Sequence, residues 1–130
     1  MKIQAQLTEE SIATRPQEWG RDGKSGALAE FWGIVRGEEE GEPIRALEYE
    51  AYPVMAIRQM EAILRDLGNK HLCHEAQVIH RLGVIPAGEA AIWVGITTAH
   101  RQEAFAMLIT FMDRLKQEVP IWKVRAVKAE

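Results

Sequence analysis

The chain has 130 residues, 47% hydrophobic and 27% charged, a composition that supports a packed core and excludes a disordered chain. Its formal net charge of -3 excludes a strong electrostatic footprint for nucleic acid, so no nucleic-acid partner is expected. The single cysteine, Cys73, excludes an internal disulfide, and no stretch approaches the roughly 20 apolar residues of a membrane span.

Residues 1–130 are expected to form one domain. Met1 to Gln6 carries no apolar run of signal-peptide length, so a soluble, cytoplasmic protein with no membrane partner is expected. Lys2 to Leu7 alternates Ile3, Ala5 and Leu7 against polar residues, the period of a half-buried strand. Thr8 is placed to cap a short helix that Pro16 limits. Trp19 to Ser25 reads as a polar loop.

Gly26 to Arg36 and Arg45 to Tyr52 read as strands. The acidic segment Gly37 to Pro43 between them reads as a solvated, mobile loop, so the two strands are expected to pair as a long hairpin. Pro53 suits the first turn of a helix. Ile57, Met60, Ile63, Leu64 and Leu67 follow at helical spacing, and Gly68-Asn69 marks the stop. Ala76–Val84 and Glu89–Ala99 read as a second hairpin around Pro86-Ala87-Gly88.

Arg101 to Glu118 reads as the last helix. Its apolar residues Phe105, Leu108, Ile109, Phe111, Met112 and Leu115 cover more than one stripe, which predicts a largely buried helix. Pro120 ends it, and Ile121 to Val127 can form a final strand. This order predicts an α+β fold: a mainly antiparallel sheet built from two hairpins, with helices packed on one face.

The chemistry is concentrated in the last third. Lys116 ends the apolar helix and Lys123 begins the next strand, with the Val119-Pro120 turn between them. Both are surface lysines on the simplest reading. A tight turn would instead bring both amines to one cleft, where a lysine can serve as general acid or base.

His100-Arg101 opens the same helix. It is either a capping pair or an anion site, in which Arg101 supplies a donor fork and the helix start supplies N–H groups. Arg36 ends an apolar strand. His71 and His74 flank Cys73 without a carboxylate–histidine framework, so no metal site is expected. Cys73 reads as a small core residue.

Several blocks together resemble the large, catalytic subunit of molybdopterin synthase, the MoaE family. They are Gly26-Ala27 with Phe31-Trp32-Gly33-Ile34-Val35-Arg36, Leu47-Glu48-Tyr49-Glu50-Ala51-Tyr52 with Met55-Ala56, and His80-Arg81-Leu82-Gly83 with Gly88-Glu89. His100-Arg101 with Ala104-Phe105, then Asp113-Arg114-Leu115-Lys116 and Pro120-Ile121-Trp122-Lys123, continue the series in order. Where the family usually has an acidic residue shortly after the second lysine, this chain has Val124-Arg125.

The resemblance implies a sulfurtransferase of molybdenum cofactor biosynthesis. It would convert cyclic pyranopterin monophosphate into molybdopterin by installing two dithiolene sulfurs. The sulfur arrives as a thiocarboxylate on the C-terminal Gly-Gly tail of a small ubiquitin-like subunit. Large subunits form a homodimer, with a small subunit at each end of a heterotetramer. No cofactor and no metal are implied.

By matching position, Lys116 and Lys123 would be catalytic, and Arg36, His100 and Arg101 would bind the substrate's phosphate and pterin. One pocket would draw residues from both large subunits, with Arg36 the candidate contributed in trans. A non-catalytic module that binds a ubiquitin-like partner or a phosphorylated metabolite is the alternative.

Overall fold

The computed structural model describes residues 1–15 and 19–130. In chain order the elements are β1 (Lys2–Thr8), β2 (Ala27–Ile34), β3 (Glu38–Glu39), β4 (Glu42–Ala51), α1 (Pro53–Lys70), β5 (Glu75–Arg81), β6 (Gly83–Pro86), β7 (Ala90–Thr98), α2 (Arg101–Glu118) and β8 (Ile121–Lys128). The fold is α+β with mainly antiparallel pairing, the class expected from the sequence. The short helix expected after Thr8 is absent among the described residues; residues 9–15 are irregular, and Pro16 lies outside those described.

Four strands make the first sheet, in the order β1-β5-β7-β2. The β1–β5 pair is parallel, and the other two pairs are antiparallel. Every residue of β7 is buried, because both faces of this inner strand are covered. Ile92, Val94 and Ile96 face the helices, while Trp93 packs on the other side with Ile12 and Trp19. The Trp19 ring meets Trp93 edge-on at 5.5 Å, and the Trp93 indole N–H donates to Glu30 at 2.9 Å.

The second sheet is built on β4. β6 pairs along it from Ala46 to Tyr49, and β8 pairs with it from Ile44 to Ala51. The expected hairpin between the Gly26–Arg36 and Arg45–Tyr52 strands does not form: β2 pairs with β7, and β4 with β3, β6 and β8. Alternation tells which face of a strand is apolar, but it does not tell which strand lies alongside. The acidic segment supplies its own hairpin instead. Glu39 pairs with Glu42 around Glu40-Gly41, whose φ angles of 51° and 81° are those of a two-residue turn matched to strand twist.

The expected Ala76–Val84 strand is also divided. β5 pairs with β7 as expected, but the chain then crosses at Gly83, with φ 87°, and β6 joins the second sheet. A positive φ at this corner suits a residue without a Cβ.

The helices cover one face of the first sheet. α1 buries Ala56, Met60, Ile63, Leu64 and Leu67, and α2 buries Ala104, Met107, Leu108, Phe111 and Leu115. α2 is less buried than its apolar content predicts. Phe105 and Ile109, four residues apart on one face, are exposed, because only the opposite face meets the sheet and α1. α1 runs through Gly68-Asn69 to Lys70, and its exit bend falls at Leu72, with φ 52°. Gly68 is buried within the helix, where the lack of a side chain makes room for the Met1 thioether.

Candidate active site

A cleft of about 410 Å³ opens where the end of β2, the β3 hairpin, the last turns of α2 and the start of β8 converge. That volume lies within the usual range for small-molecule sites. Phe31, Ile34, Met112, Ile121 and Trp122 give it apolar walls, and Arg36, Lys116 and Lys123 give it three cationic side chains. The fold brings these together by short-range means. Leu115 accepts a backbone hydrogen bond from Val119 at the end of α2, and the chain reverses at Pro120. Tyr52 N–H donates to the Pro120 carbonyl at 3.1 Å, which sets β8 against β4 from its first residue.

Arg36, Lys116 and Lys123 of one chain therefore line one cleft. His100 and Arg101 do not line it. They stand at the opposite end of α2, fifteen residues or about 22 Å from Lys116 at the rise of an α-helix. His100 is the N-cap residue in extended backbone, yet its side chain makes no capping bond; Thr98 Oγ1 donates to its carbonyl at 2.6 Å. Both residues are exposed.

Two further residues of the cleft, Glu39 and Tyr49, escaped the sequence reading as site residues, and His80, part of a block shared with the family, lines it as well. Tyr49 is the strand partner of Lys123 and stands edge-on to the His80 ring at 5.4 Å. Burial pushes the Tyr49 hydroxyl above its ordinary pKa, opposed by the charge of Lys123. Glu39 lies in the segment expected to be a mobile loop, but the β3 hairpin holds it, and its Oε2 is 2.9 Å from Lys123 Nζ. Arg125, two residues further along β8, is engaged by Glu48 at 2.7 Å.

His80 is almost wholly buried, and Nδ1 lies 2.8 Å from the Arg81 carbonyl. A carbonyl can only accept, so Nδ1 carries a proton. Burial lowers the His80 pKa from its ordinary 6.5, and the bond to Arg81 opposes this. The unfolded chain then takes up a proton near pH 6.5, which the folded ring refuses until lower pH. The His80 contribution to stability is thus full above about pH 6.5 and is lost as the pH falls. Urea midpoints taken at about pH 7.5 and 5.5 should show this loss, and His80→Asn should flatten it.

His71 meets Glu103 at 3.2 Å and His74 meets Ser25 at 2.8 Å, so the two histidines flanking Cys73 have separate partners. Burial pushes the Cys73 thiol up to about 11, well away from a reactive thiolate. No helix among the described residues is long and apolar enough to cross a membrane.

Comparison with known proteins bears on this geometry. The family model described as MoaE protein matches residues 5–118. The molybdopterin synthase catalytic subunit of Oryza sativa subsp. indica is 43% identical over 103 residues, which cover 79% of this chain and 53% of that protein. The molybdopterin synthase catalytic subunit of Homo sapiens is 39% identical over 98 residues, covering 75% of this chain and 52% of that protein. This chain thus spans about half the length of these curated relatives. Among solved structures, molybdopterin synthase from Staphylococcus aureus superimposes with a TM-score of 0.82 at 27% identity, covering 95% of this chain and 90% of that one.

Proposed function

The chain belongs to the MoaE family, and from that premise we propose that it is the catalytic subunit of a molybdopterin synthase. Its substrate is cyclic pyranopterin monophosphate, and its sulfur donor is the C-terminal Gly-Gly thiocarboxylate of a small ubiquitin-like subunit. The observation that carries the proposal is the convergence of Lys116, Lys123 and Arg36 on one apolar-walled cleft. Apolar and aromatic walls suit a flat pterin, and the cations suit its phosphate and the incoming thiocarboxylate.

The thiocarboxylate sulfur attacks a substrate carbon as that carbon's bond to oxygen breaks, the oxygen leaving with its phosphate or, once protonated, as water, and the carrier stays joined through an acyl–sulfur bond. Water then attacks the acyl carbon, and the tetrahedral intermediate collapses to a carboxylate on the carrier and a thiolate on the substrate. A second carrier supplies the second sulfur. Lys116 lies nearest the incoming tail and stabilises the tetrahedral oxyanion, while Lys123 moves protons during attack and collapse. Buried Cys73 takes no part, since the carrier brings the sulfur. The reaction belongs in the reducing cytoplasm, where a thiocarboxylate and a free thiol persist.

His100 and Arg101 sit too far along α2 to serve the cleft of their own chain. In a homodimer of large subunits, inside a heterotetramer with two small ones, they complete the phosphate site of the neighbouring copy. Mixing tests this. Lys123→Ala and Arg101→Ala chains should each be inactive alone. Unfolded and refolded together in equal amounts, they should recover about a quarter of wild-type activity, because half the dimers are mixed and one site in each is intact. No recovery would place all the residues of a site on one chain.

A further inference from the structure

The three cations of the cleft are not equivalent. Among the described residues, Lys123 alone of the three has a carboxylate at bonding distance, Glu39 at 2.9 Å. The contact joins residues 84 apart in sequence, so it is not an accident of neighbouring positions. Its geometry is fixed on both sides. Glu39 is the last residue of β3, clamped by its pairing with Glu42 across the tight Glu40-Gly41 turn. Lys123 is held in β8 by its pairing with Tyr49. Glu39 is about one-quarter exposed and Lys123 about half, so the pair sits at the rim of the cleft rather than deep inside. At that depth an ion pair adds little to stability. What the hairpin accomplishes is placement.

We propose that Glu39 is the positioning residue of Lys123: its carboxylate holds the amine at the cleft rim and keeps it from binding the substrate's anion. This rests on the function proposed above. Arg36 and Lys116 are then the cations of this chain left for the phosphate and the carrier tail. Lys123 is reserved for proton transfer at a fixed point. Without the carboxylate, the long lysine side chain has no partner to select one rotamer and turns to whichever anion is nearest.

Two measurements on Glu39→Gln decide it, both on the full chain assembled with its thiocarboxylated small subunit. In steady state kcat should fall about tenfold, since misplaced catalytic groups slow the reacting step. KM for the pyranopterin should stay within about twofold, because the binding cations are untouched. Glu40→Gln removes the same charge from the exposed turn of the same hairpin and should leave both constants unchanged.

The second measurement needs no turnover. Acetylation by N-acetoxysuccinimide, followed by peptide mass spectrometry, should label Lys123 several-fold faster relative to Lys116 in Glu39→Gln than in wild type, because the Lys123 amine is no longer held by a charge-assisted bond to a carboxylate. An unchanged kcat together with an unchanged labelling ratio would overturn the proposal. So would a rise in KM without a fall in kcat. If the wild-type chain forms no product, the reading of function fails, while the labelling ratio still decides whether Glu39 holds Lys123.

Discussion

Lys123→Ala is expected to lower molybdopterin formation by about 100- to 10,000-fold, the range typical of a lost general acid–base group. The protein should remain folded. Lys123 is half exposed, and its ion pair with Glu39 is a surface pair whose loss costs about 0–1 kcal/mol. The expected signature is thus a nearly unchanged thermal midpoint beside an almost complete loss of turnover. Lys116→Ala should follow the same pattern, since Lys116 is an exposed residue in the last turn of α2. Activity near that of the wild type in Lys123→Ala would make it a surface lysine, the plainest reading of its sequence. Unfolding of the variant would equally remove the lysine from the chemistry.

The largest effect on stability is expected at the other side of α2. Phe111 is wholly buried in the cluster that α1 and α2 form with Val78, Ile92 and Val94. Phe111→Ala removes a ring from a closely packed interior and should cost about 3–5 kcal/mol. In a chain of this size that is a fall of roughly 10–20 °C in the thermal midpoint. Below the new midpoint the variant should still make molybdopterin, because Phe111 does not line the cleft. A midpoint within a few degrees of wild type would mean that the α2 core is looser than its burial indicates. The two variants separate the functions of one helix: its buried face carries the fold, and its last turn carries a lysine to the cleft.

Both helices were legible from their spacing, because a helix repeats its apolar face within a few residues and needs no distant partner to reveal it. α2 carries more apolar residues than its buried face uses, which is why burial of Phe105 and Ile109 was expected and does not occur. Strand positions were also legible, but pairing was not. β2 and β4 follow each other with a polar segment between them, the usual mark of a hairpin, yet β2 lies beside β7. That choice depends on residues more than fifty positions away, which local alternation cannot report.

The site divides in the same manner. Lys116 and Lys123 were found because one short turn joins them. Glu39 was missed because a run of four glutamates interrupted by glycine looks solvated, and the turn at Glu40-Gly41 is visible only once β3 is seen paired. Tyr49 was one residue of an expected strand, and nothing local marks which strand residue will face a cleft. His80 stands in a block shared with the family; its ring is buried and also lines the cleft. The distance of His100 and Arg101 from Lys116 could have been read from helix length alone.

The most direct test of sulfur transfer at this cleft combines the purified chain, cyclic pyranopterin monophosphate and a thiocarboxylated small subunit. Molybdopterin is followed through the fluorescence of its oxidised derivative. The wild-type chain should form product, Lys123→Ala almost none, and a small subunit ending in an ordinary carboxylate none at all. A stable complex of wild-type chain, carrier and pterin that yields no product would contradict the account, and would leave a module that binds these partners without transferring sulfur.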